Sequence, residues 1–143
     1  MLHINFPAHN FRIKEENKKH IIFDEVRRRW VSLTPEEWIR QNFLQYLIQV
    51  KHYPSSIISV EKIIKVGELK KRYDIVVYNE NIPWLIVECK ENNTIINTAV
   101  IEQVLRYNMA LSIQYFVVTN GNQNFAYQVF ENAFKELDDL PAF

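Results

Sequence analysis

The fold of this chain is decided by residues 72–91, which read Arg-Tyr-Asp-Ile-Val-Val-Tyr-Asn-Glu-Asn-Ile-Pro-Trp-Leu-Ile-Val-Glu-Cys-Lys-Glu. Two segments of this stretch, Tyr73–Tyr78 and Trp84–Cys89, are rich in β-branched and aromatic residues. The polar segment Asn79–Pro83 lies between them. Apolar runs of this kind, bounded by turn residues, predict two β-strands joined as a hairpin.

Three charged side chains, Asp74, Glu88 and Lys90, interrupt the apolar pattern of this hairpin. Because successive side chains of a strand alternate between faces, Glu88 and Lys90 point to one side and Cys89 to the other. Two neighbouring carboxylates repel each other, and a hard divalent cation such as Mg²⁺ relieves that repulsion. We therefore expect a metal site at this hairpin, with the lysine holding water or neutralising charge on a phosphate. The simpler alternative is three solvated residues at strand ends.

The order of these residues, Asp74 and then, after thirteen residues, Glu88-Cys89-Lys90, resembles the D…ExK core of the PD-(D/E)xK nuclease superfamily. The wider sequence resembles one branch of it, the nuclease domain at the N-terminus of type I restriction enzyme R subunits, which also occurs as a stand-alone protein. The segments that carry this resemblance are Leu33–Gln41, Lys70–Tyr78, Val87–Lys90 and Val118–Gly121.

This resemblance implies both a fold and a catalytic set. The fold is α/β (mixed α+β): a restriction-endonuclease-like, three-layer arrangement in which helices flank a central mixed sheet, with a small N-terminal β-hairpin. The catalytic set is Asp74, Glu88 and Lys90. The metal, Mg²⁺ or Mn²⁺ as its substitute, is expected on Asp74, Glu88 and the backbone carbonyl of Cys89.

The first helix supplies a further candidate. Thr34 is a typical N-cap, Pro35 suits the first helical position, and Glu37 completes a capping box. In the superfamily a glutamate of the first helix reaches toward the active site, and Glu36 and Glu37 are both available. Glu37 lies one turn before Gln41 and should face the sheet. We predict Glu37 as the fourth catalytic residue, although the capping box alone would explain it.

A second amphipathic helix is predicted over Asn97–Ser112 by its apolar period. Gln103 and Tyr107 are four residues apart and share one face of it. A Gln-x-x-x-Tyr motif after the ExK lysine resembles that of related nucleases and implies contact with substrate, whereas a core tyrosine beside a surface glutamine is the alternative. Lys70 and Arg72 are further candidates for phosphate contacts, or else exposed strand-end residues.

The remaining segments complete the sheet. The apolar run Gln114–Thr119 predicts a buried strand, parallel to Trp84–Cys89 through a right-handed crossover. Residues 1–10 show no periodicity and are expected to be loosely held. Other predicted elements are a small hairpin from Phe11–Lys14 and His20–Phe23, strands at Ser56–Ile64 (with a bend at Glu61-Lys62) and Phe125–Glu131, and a short helix at Asn132–Asp139.

Composition limits the class of protein. A length of 143 residues predicts a single domain, residues 1–143. One cysteine excludes an internal disulfide, and no apolar run is long enough to cross a membrane, so we expect a cytoplasmic location without membrane contact. Two glycines, neither in a phosphate-binding motif, argue against Walker and dinucleotide sites.

The charge balance weakens the case for tight DNA binding. Seventeen basic and seventeen acidic residues give a net charge of zero, whereas DNA-binding domains are usually basic. We expect weak DNA affinity from the isolated domain, with a homodimer or the helicase and specificity subunits of a restriction system as possible partners. The run Arg27-Arg28-Arg29 beside Trp30 would either face a phosphate backbone or form a solvated turn with the tryptophan in the core.

The leading functional prediction is Mg²⁺-dependent hydrolysis of DNA phosphodiester bonds. The alternatives are a non-catalytic DNA-binding or assembly module that keeps the nuclease fold, and a nuclease that acts on RNA. We also expect removal of Asp74 or Glu88 to leave stability nearly unchanged or slightly improved, because repulsion between the two carboxylates is relieved.

Overall fold

A computed structural model describes residues 1–143. The chain forms nine strands and two α-helices. In order, they are β1 Ile13–Glu16, β2 Lys19–Asp24, β3 Arg29–Ser32, α1 Pro35–Gln45, β4 Ile58–Val66, β5 Leu69–Asn79, β6 Ile82–Cys89, α2 Thr98–Asn108, β7 Tyr115–Thr119, β8 Asn124–Val129 and β9 Phe134–Leu137. A π-helical turn, Tyr46–Val50, extends α1, and 3₁₀ turns lie at Ser55–Ile57 and Met109–Leu111. Neither helix has the length and hydrophobicity of a membrane-spanning segment.

Strands β5 and β6 form the predicted hairpin, but both are longer than the sequence pattern indicates. Their turn consists of two residues, Glu80 and Asn81, with positive φ angles of 51° and 64°. Two such residues are the signature of a type I′ turn, whose twist matches that of the flanking strands. Because β5 begins at Leu69, Asp74 lies in the middle of its strand rather than at its start.

The central sheet has six strands in the order β4-β5-β6-β7-β8-β9. Strands β6 and β7 are parallel, and every other neighbouring pair is antiparallel. The parallel pair is joined through α2, which confirms the predicted crossover. The predicted bend in β4 is also present, because Glu61 adopts a φ of 51° and the pairing of β4 with β5 is interrupted there.

The two helices cover opposite faces of this sheet. Phe43 and Leu47, from α1 and its π-helical extension, pack in one apolar cluster with Val87 of β6. Ile101 of α2 packs in a second cluster with Ile86, the neighbour of Val87 in the strand. Since adjacent strand residues point to opposite faces, the molecule has three layers. The mixed three-layer fold predicted from the sequence is therefore confirmed.

The N-terminal region contains more structure than predicted. The expected hairpin is β1 and β2, and β3 adds a third antiparallel strand. Residues 1–10 form no helix or strand, yet they are held against the core rather than loosely attached. Leu2 is buried and its N–H donates to the Asn124 carbonyl over 2.7 Å. Phe6 packs edge-on against Phe43.

The helix predicted at Asn132–Asp139 is wrong, because Phe134–Leu137 forms the edge strand β9. This strand pairs with β8, and the Phe134 ring packs perpendicular to that of Tyr127 at 5.7 Å. A helix of two turns is costly to nucleate, whereas the exposed edge of β8 offers ready hydrogen-bond partners. Pairing with β8 therefore decided the conformation of this segment.

Candidate active site

The pairing of β5 with β6 stops short of the β6 C-terminus. The last paired residues are Ile75 and Val87. Beyond them, the Cys89 N–H donates to the Asp74 carboxylate over 2.8 Å, so a side-chain oxygen replaces a backbone carbonyl as acceptor. The next N–H, of Lys90, bonds to β7 through the Thr119 carbonyl at 2.7 Å. The end of β6 therefore remains hydrogen-bonded to β7. On its other side, backbone pairing with β5 is replaced by a hydrogen bond to the Asp74 side chain.

A cavity of about 390 Å³ opens at this point. Three of the four predicted catalytic residues, Asp74, Glu88 and Lys90, line it together with Cys89. The complete lining is Glu36, Arg40, Glu61, Arg72, Tyr73, Asp74, Glu88, Cys89, Lys90, Glu91 and Thr94. The structure therefore brings together the residues of the D…ExK pattern, which lie far apart in the sequence.

Glu88 is a buried acid with incomplete hydrogen bonding. Its side chain is 9% exposed, and its Oε1 atom has no hydrogen-bond partner. Its other oxygen lies 3.7 Å from Nζ of Lys71. Burial raises the pKa of Glu88 to about 7, and the nearby Asp74 adds to the rise while Lys71 and Lys90 oppose it. The carboxylate form is thus costly near neutral pH, and a cation beside it would relieve that cost.

Asp74 is, in contrast, already paired. One of its oxygens accepts from Arg40 Nη2 at 2.8 Å, and the other accepts from the Cys89 N–H. Arg40 is buried, which would lower its pKa, but its hydrogen bonds to Asp74 and Glu37 raise that pKa above the ordinary value. The guanidinium is therefore a fixed positive charge that orients Asp74 at the wall of the cavity.

Glu37 is not among the residues that line the cavity, so its catalytic role stays a prediction, and any such role would act through neighbouring side chains. The Thr34 hydroxyl accepts from the Glu37 N–H at 3.0 Å, so Thr34 caps the helix as predicted. The Glu37 carboxylate does not return to the cap. It accepts from Arg27 and Arg40, each at 2.7 Å, and from Gln41 at 3.2 Å. These donors occupy the carboxylate, and Glu37 is linked to the cavity-lining residues through Arg40 and through Arg27, which also pairs with Glu61.

Glu36 lines the cavity in place of Glu37. Adjacent helical residues are about 100° apart around the helix axis, so only one of the two can face the opening. Burial raises the pKa of Glu36, and the neighbouring Asp74 raises it further. Glu36 therefore contributes a further carboxylate to the opening that Glu61, Asp74, Glu88 and Glu91 also line.

The predicted substrate-binding residues are only partly brought to the site. Arg72 lines the cavity, whereas Lys70 is exposed and lies outside it. Gln103 and Tyr107 are exposed on α2, and neither lines the cavity. The Tyr107 ring does lie 5.2 Å from Nζ of Lys71, the lysine that pairs with Glu88.

Sequence reasoning missed several charged residues of the site. Arg40 follows Glu36 and Glu37 at the spacings that pair charges on a helix, so its signal was present. Lys71 and Glu61 had no comparable signal. Arg27, the first arginine of the basic run, pairs with the buried Asp24 and with Glu37 and Glu61. It is therefore a structural residue rather than a phosphate contact.

The donor set suits a hard cation. Asp74 and Glu88 both line the cavity, and Oε1 of Glu88 has no hydrogen-bond partner that a ligand would have to displace. Mg²⁺ commonly takes one or two carboxylates and completes its shell with water and substrate phosphate. A preassembled cluster of three or more acidic, histidine or cysteine ligands is absent. The residues fit a cation that shares its ligands with substrate, not an all-protein cage.

Comparison with known proteins connects the fold to two groups. The family profile described as type I restriction enzyme R protein N terminus matches residues 35–141. A solved structure from Anabaena variabilis ATCC 29413, described as a candidate nuclease belonging to DUF820, shares the fold with a TM-score of 0.51 at 13% identity. That match covers 88% of this chain and 80% of the other. No protein with a curated description matches the chain.

Proposed function

This chain belongs to the family of type I restriction enzyme R protein N termini, and we propose that it is a metal-dependent nuclease that hydrolyses phosphodiester bonds of DNA. The observation that carries the proposal is the convergence of Asp74, Glu88 and Lys90 on one cavity, with an oxygen of Glu88 lacking any partner. Burial makes the ionised form of Glu88 unfavourable, and a buried acid with a raised pKa in a polar cavity is a candidate functional group.

In this proposal Asp74 and Glu88 hold Mg²⁺, or Mn²⁺ in its place, with the Cys89 carbonyl as a further ligand. When bound, the ion supplies a more acidic water and neutralises negative charge on the phosphoryl oxygens. Arg40 fixes the orientation of Asp74, as its 2.8 Å hydrogen bond indicates.

The remaining cavity residues act on the substrate and the attacking water. Lys90 holds the water for in-line attack on phosphorus, or neutralises charge that develops on the phosphate. Arg72 lines the cavity and Lys71 lies 3.7 Å from Glu88, so both would place positive charge near an entering phosphodiester. Glu36 faces the same opening and could accept a proton from that water, since burial and Asp74 raise its pKa.

A second candidate function is a DNA-binding or assembly module without catalysis. The observation in its favour is the ion pair between Asp74 and Arg40, which neutralises the carboxylate without a metal. The zero net charge agrees with a domain that acts beside other subunits, such as a restriction helicase or specificity subunit, or as a homodimer.

Incubation with supercoiled plasmid in Mg²⁺, Mn²⁺ or EDTA separates the two functions. We expect the wild type to nick or linearise plasmid only with metal, and Lys90→Ala to lose this activity. Lys135→Ala is the matched control, because it removes an exposed lysine of the edge strand β9. Cleavage by Lys90→Ala at the wild-type rate contradicts the catalytic proposal. Intact plasmid together with retained DNA binding supports the module, and RNA substrates in parallel test the choice of nucleic acid.

A further inference from the structure

The three-stranded N-terminal sheet presents a basic surface to solvent. Its register places Lys14 opposite Ile21 and Phe23 opposite Trp30, on one face. Ile22, on the other face, is fully buried against the domain. The outer face therefore belongs to residues with no role in the core. We refer to its basic and aromatic members, Arg12, Lys14, Lys19, Phe23 and Trp30, as the basic-aromatic face.

Two cations of this face are held over aromatic rings. The Arg12 guanidinium lies 4.6 Å from the centre of the Phe23 ring and 5.3 Å from that of Trp30. Nζ of Lys14 lies 4.3 Å from the Trp30 ring. A cation over a ring keeps its N–H groups available to an acceptor while its position is restricted. The ion pair on this face, Lys14 with Glu16 at 3.6 Å, is exposed and therefore weak.

The basic-aromatic face adjoins the candidate active site through one of its members, Trp30. Trp30, Arg29 and Ser32 line a depression of about 420 Å³. Its wall also contains Glu36, Arg40 and Glu61, which line the catalytic cavity as well. The acids at this junction are accompanied by Arg27 and Arg40, which pair with Glu37, Glu36 and Glu61. A ligand strand can thus pass from the sheet to the cavity without crossing unpaired acids.

We propose that the basic-aromatic face binds the sugar-phosphate backbone of the nucleic acid substrate, next to the phosphate that enters the cavity. In naming that substrate the inference rests on the proposed function. Two observations support the inference independently of that function. Arg12 and Lys14 are held over aromatic rings, and the depression beside Trp30 shares wall residues with the catalytic cavity. The sheet lies outside residues 35–141, the part of the chain that the family profile matches, so the family does not assign it this role.

Fluorescence anisotropy with a labelled DNA duplex, in Ca²⁺ and at several salt concentrations, tests this inference. Arg12→Gln/Lys14→Gln should weaken binding about 50-fold at 0.1 M salt and lower the slope of log K against log salt by about 1.8, the values expected for two lost phosphate contacts. The control, Lys51→Gln/Lys135→Gln, removes the same charge from residues outside the three-stranded sheet and should bind like wild type. Arg12→Lys should keep the wild-type slope.

The outcomes separate this inference from the proposed function. Metal-dependent cleavage with equal affinity and salt slope in wild type and Arg12→Gln/Lys14→Gln overturns the inference and leaves the nuclease proposal standing. If only Arg12→Gln/Lys14→Gln loses DNA binding and neither the wild type nor any variant cleaves DNA, the inference is supported and the nuclease proposal is refuted. A wild type that binds an acidic peptide but no DNA also overturns the inference. Thermal melts of all variants establish that they are folded.

Discussion

Replacing Glu88 with Gln should make the stability of this protein less sensitive to pH. Burial raises the pKa of Glu88 from its ordinary value of 4.5 to about 7. The folded protein therefore keeps a proton that the unfolded chain releases, and stability falls as pH rises between these values. Over pH 5 to 8 the wild type should lose about 2–3 kcal/mol of unfolding free energy relative to Glu88→Gln, because Gln resembles the protonated acid and carries no charge.

Urea denaturation in EDTA, followed by tryptophan fluorescence, measures the difference in unfolding free energy between the two proteins. Thermal denaturation in the same buffer measures the difference in melting temperature. At pH 8 Glu88→Gln should be the more stable protein, with a melting temperature higher by about 5–10 °C for a chain of this size, and the gap should narrow at pH 5. Glu91→Gln is the matched control, since Glu91 lines the same cavity but is exposed. Its curve should run parallel to that of the wild type.

A constant difference between wild type and Glu88→Gln across this pH range would refute the reasoning. It would mean that Glu88 ionises in the folded protein as it does in the unfolded chain. The cavity would then be more hydrated than its geometry indicates, and Lys71, at 3.7 Å, would offset the cost of burial.

Three further predictions follow from the same contacts. Asp74→Ala should destabilise the protein by about 2 kcal/mol, because buried Arg40 loses one of its acceptors and the Cys89 N–H loses its own, so an unchanged thermal melt would count against a structural role. From the sequence we expected that removing Asp74 or Glu88 would leave stability nearly unchanged or slightly improved. The contacts of Asp74 reverse that expectation for Asp74, but not for Glu88. Glu37→Gln should cost about 3 kcal/mol and Glu36→Gln less than about 1, since only the first acid is buried between arginines. Equal melts of these two variants would contradict that assignment. Mg²⁺ should raise the melting temperature more at pH 8 than at pH 6, because Glu88 must lose its proton to bind metal. Equal shifts at both pH values, or an undiminished shift in Glu88→Gln, would exclude this acid as a ligand.

Features set by neighbours in the chain could be predicted from the sequence. Alternating apolar residues around Asn79–Pro83 predicted the central hairpin, and the period of Asn97–Ser112 predicted the second helix. Thr34 was predicted as a cap and accepts the expected backbone hydrogen bond. The apolar run before Thr119 predicted the parallel strand. Each of these patterns repeats over a short stretch of the chain. Local sterics and hydrogen bonding are therefore sufficient to produce the corresponding helix or strand.

The residues that meet at the cavity from β5 and β6 could also be predicted from the sequence, because the strand period and the hairpin bring Asp74 and Lys90 to one place. The contacts that hold these residues come from packing between separate elements. Arg40 pairs with Asp74 across 34 positions, and Lys71 reaches Glu88 from a neighbouring strand. The choice between Glu36 and Glu37 depended on partners in other elements, and the choice between helix and strand for Phe134–Leu137 depended on pairing with the preceding strand β8. A spacing pattern contains no information about such partners, because burial and ion pairing arise only when separate segments pack.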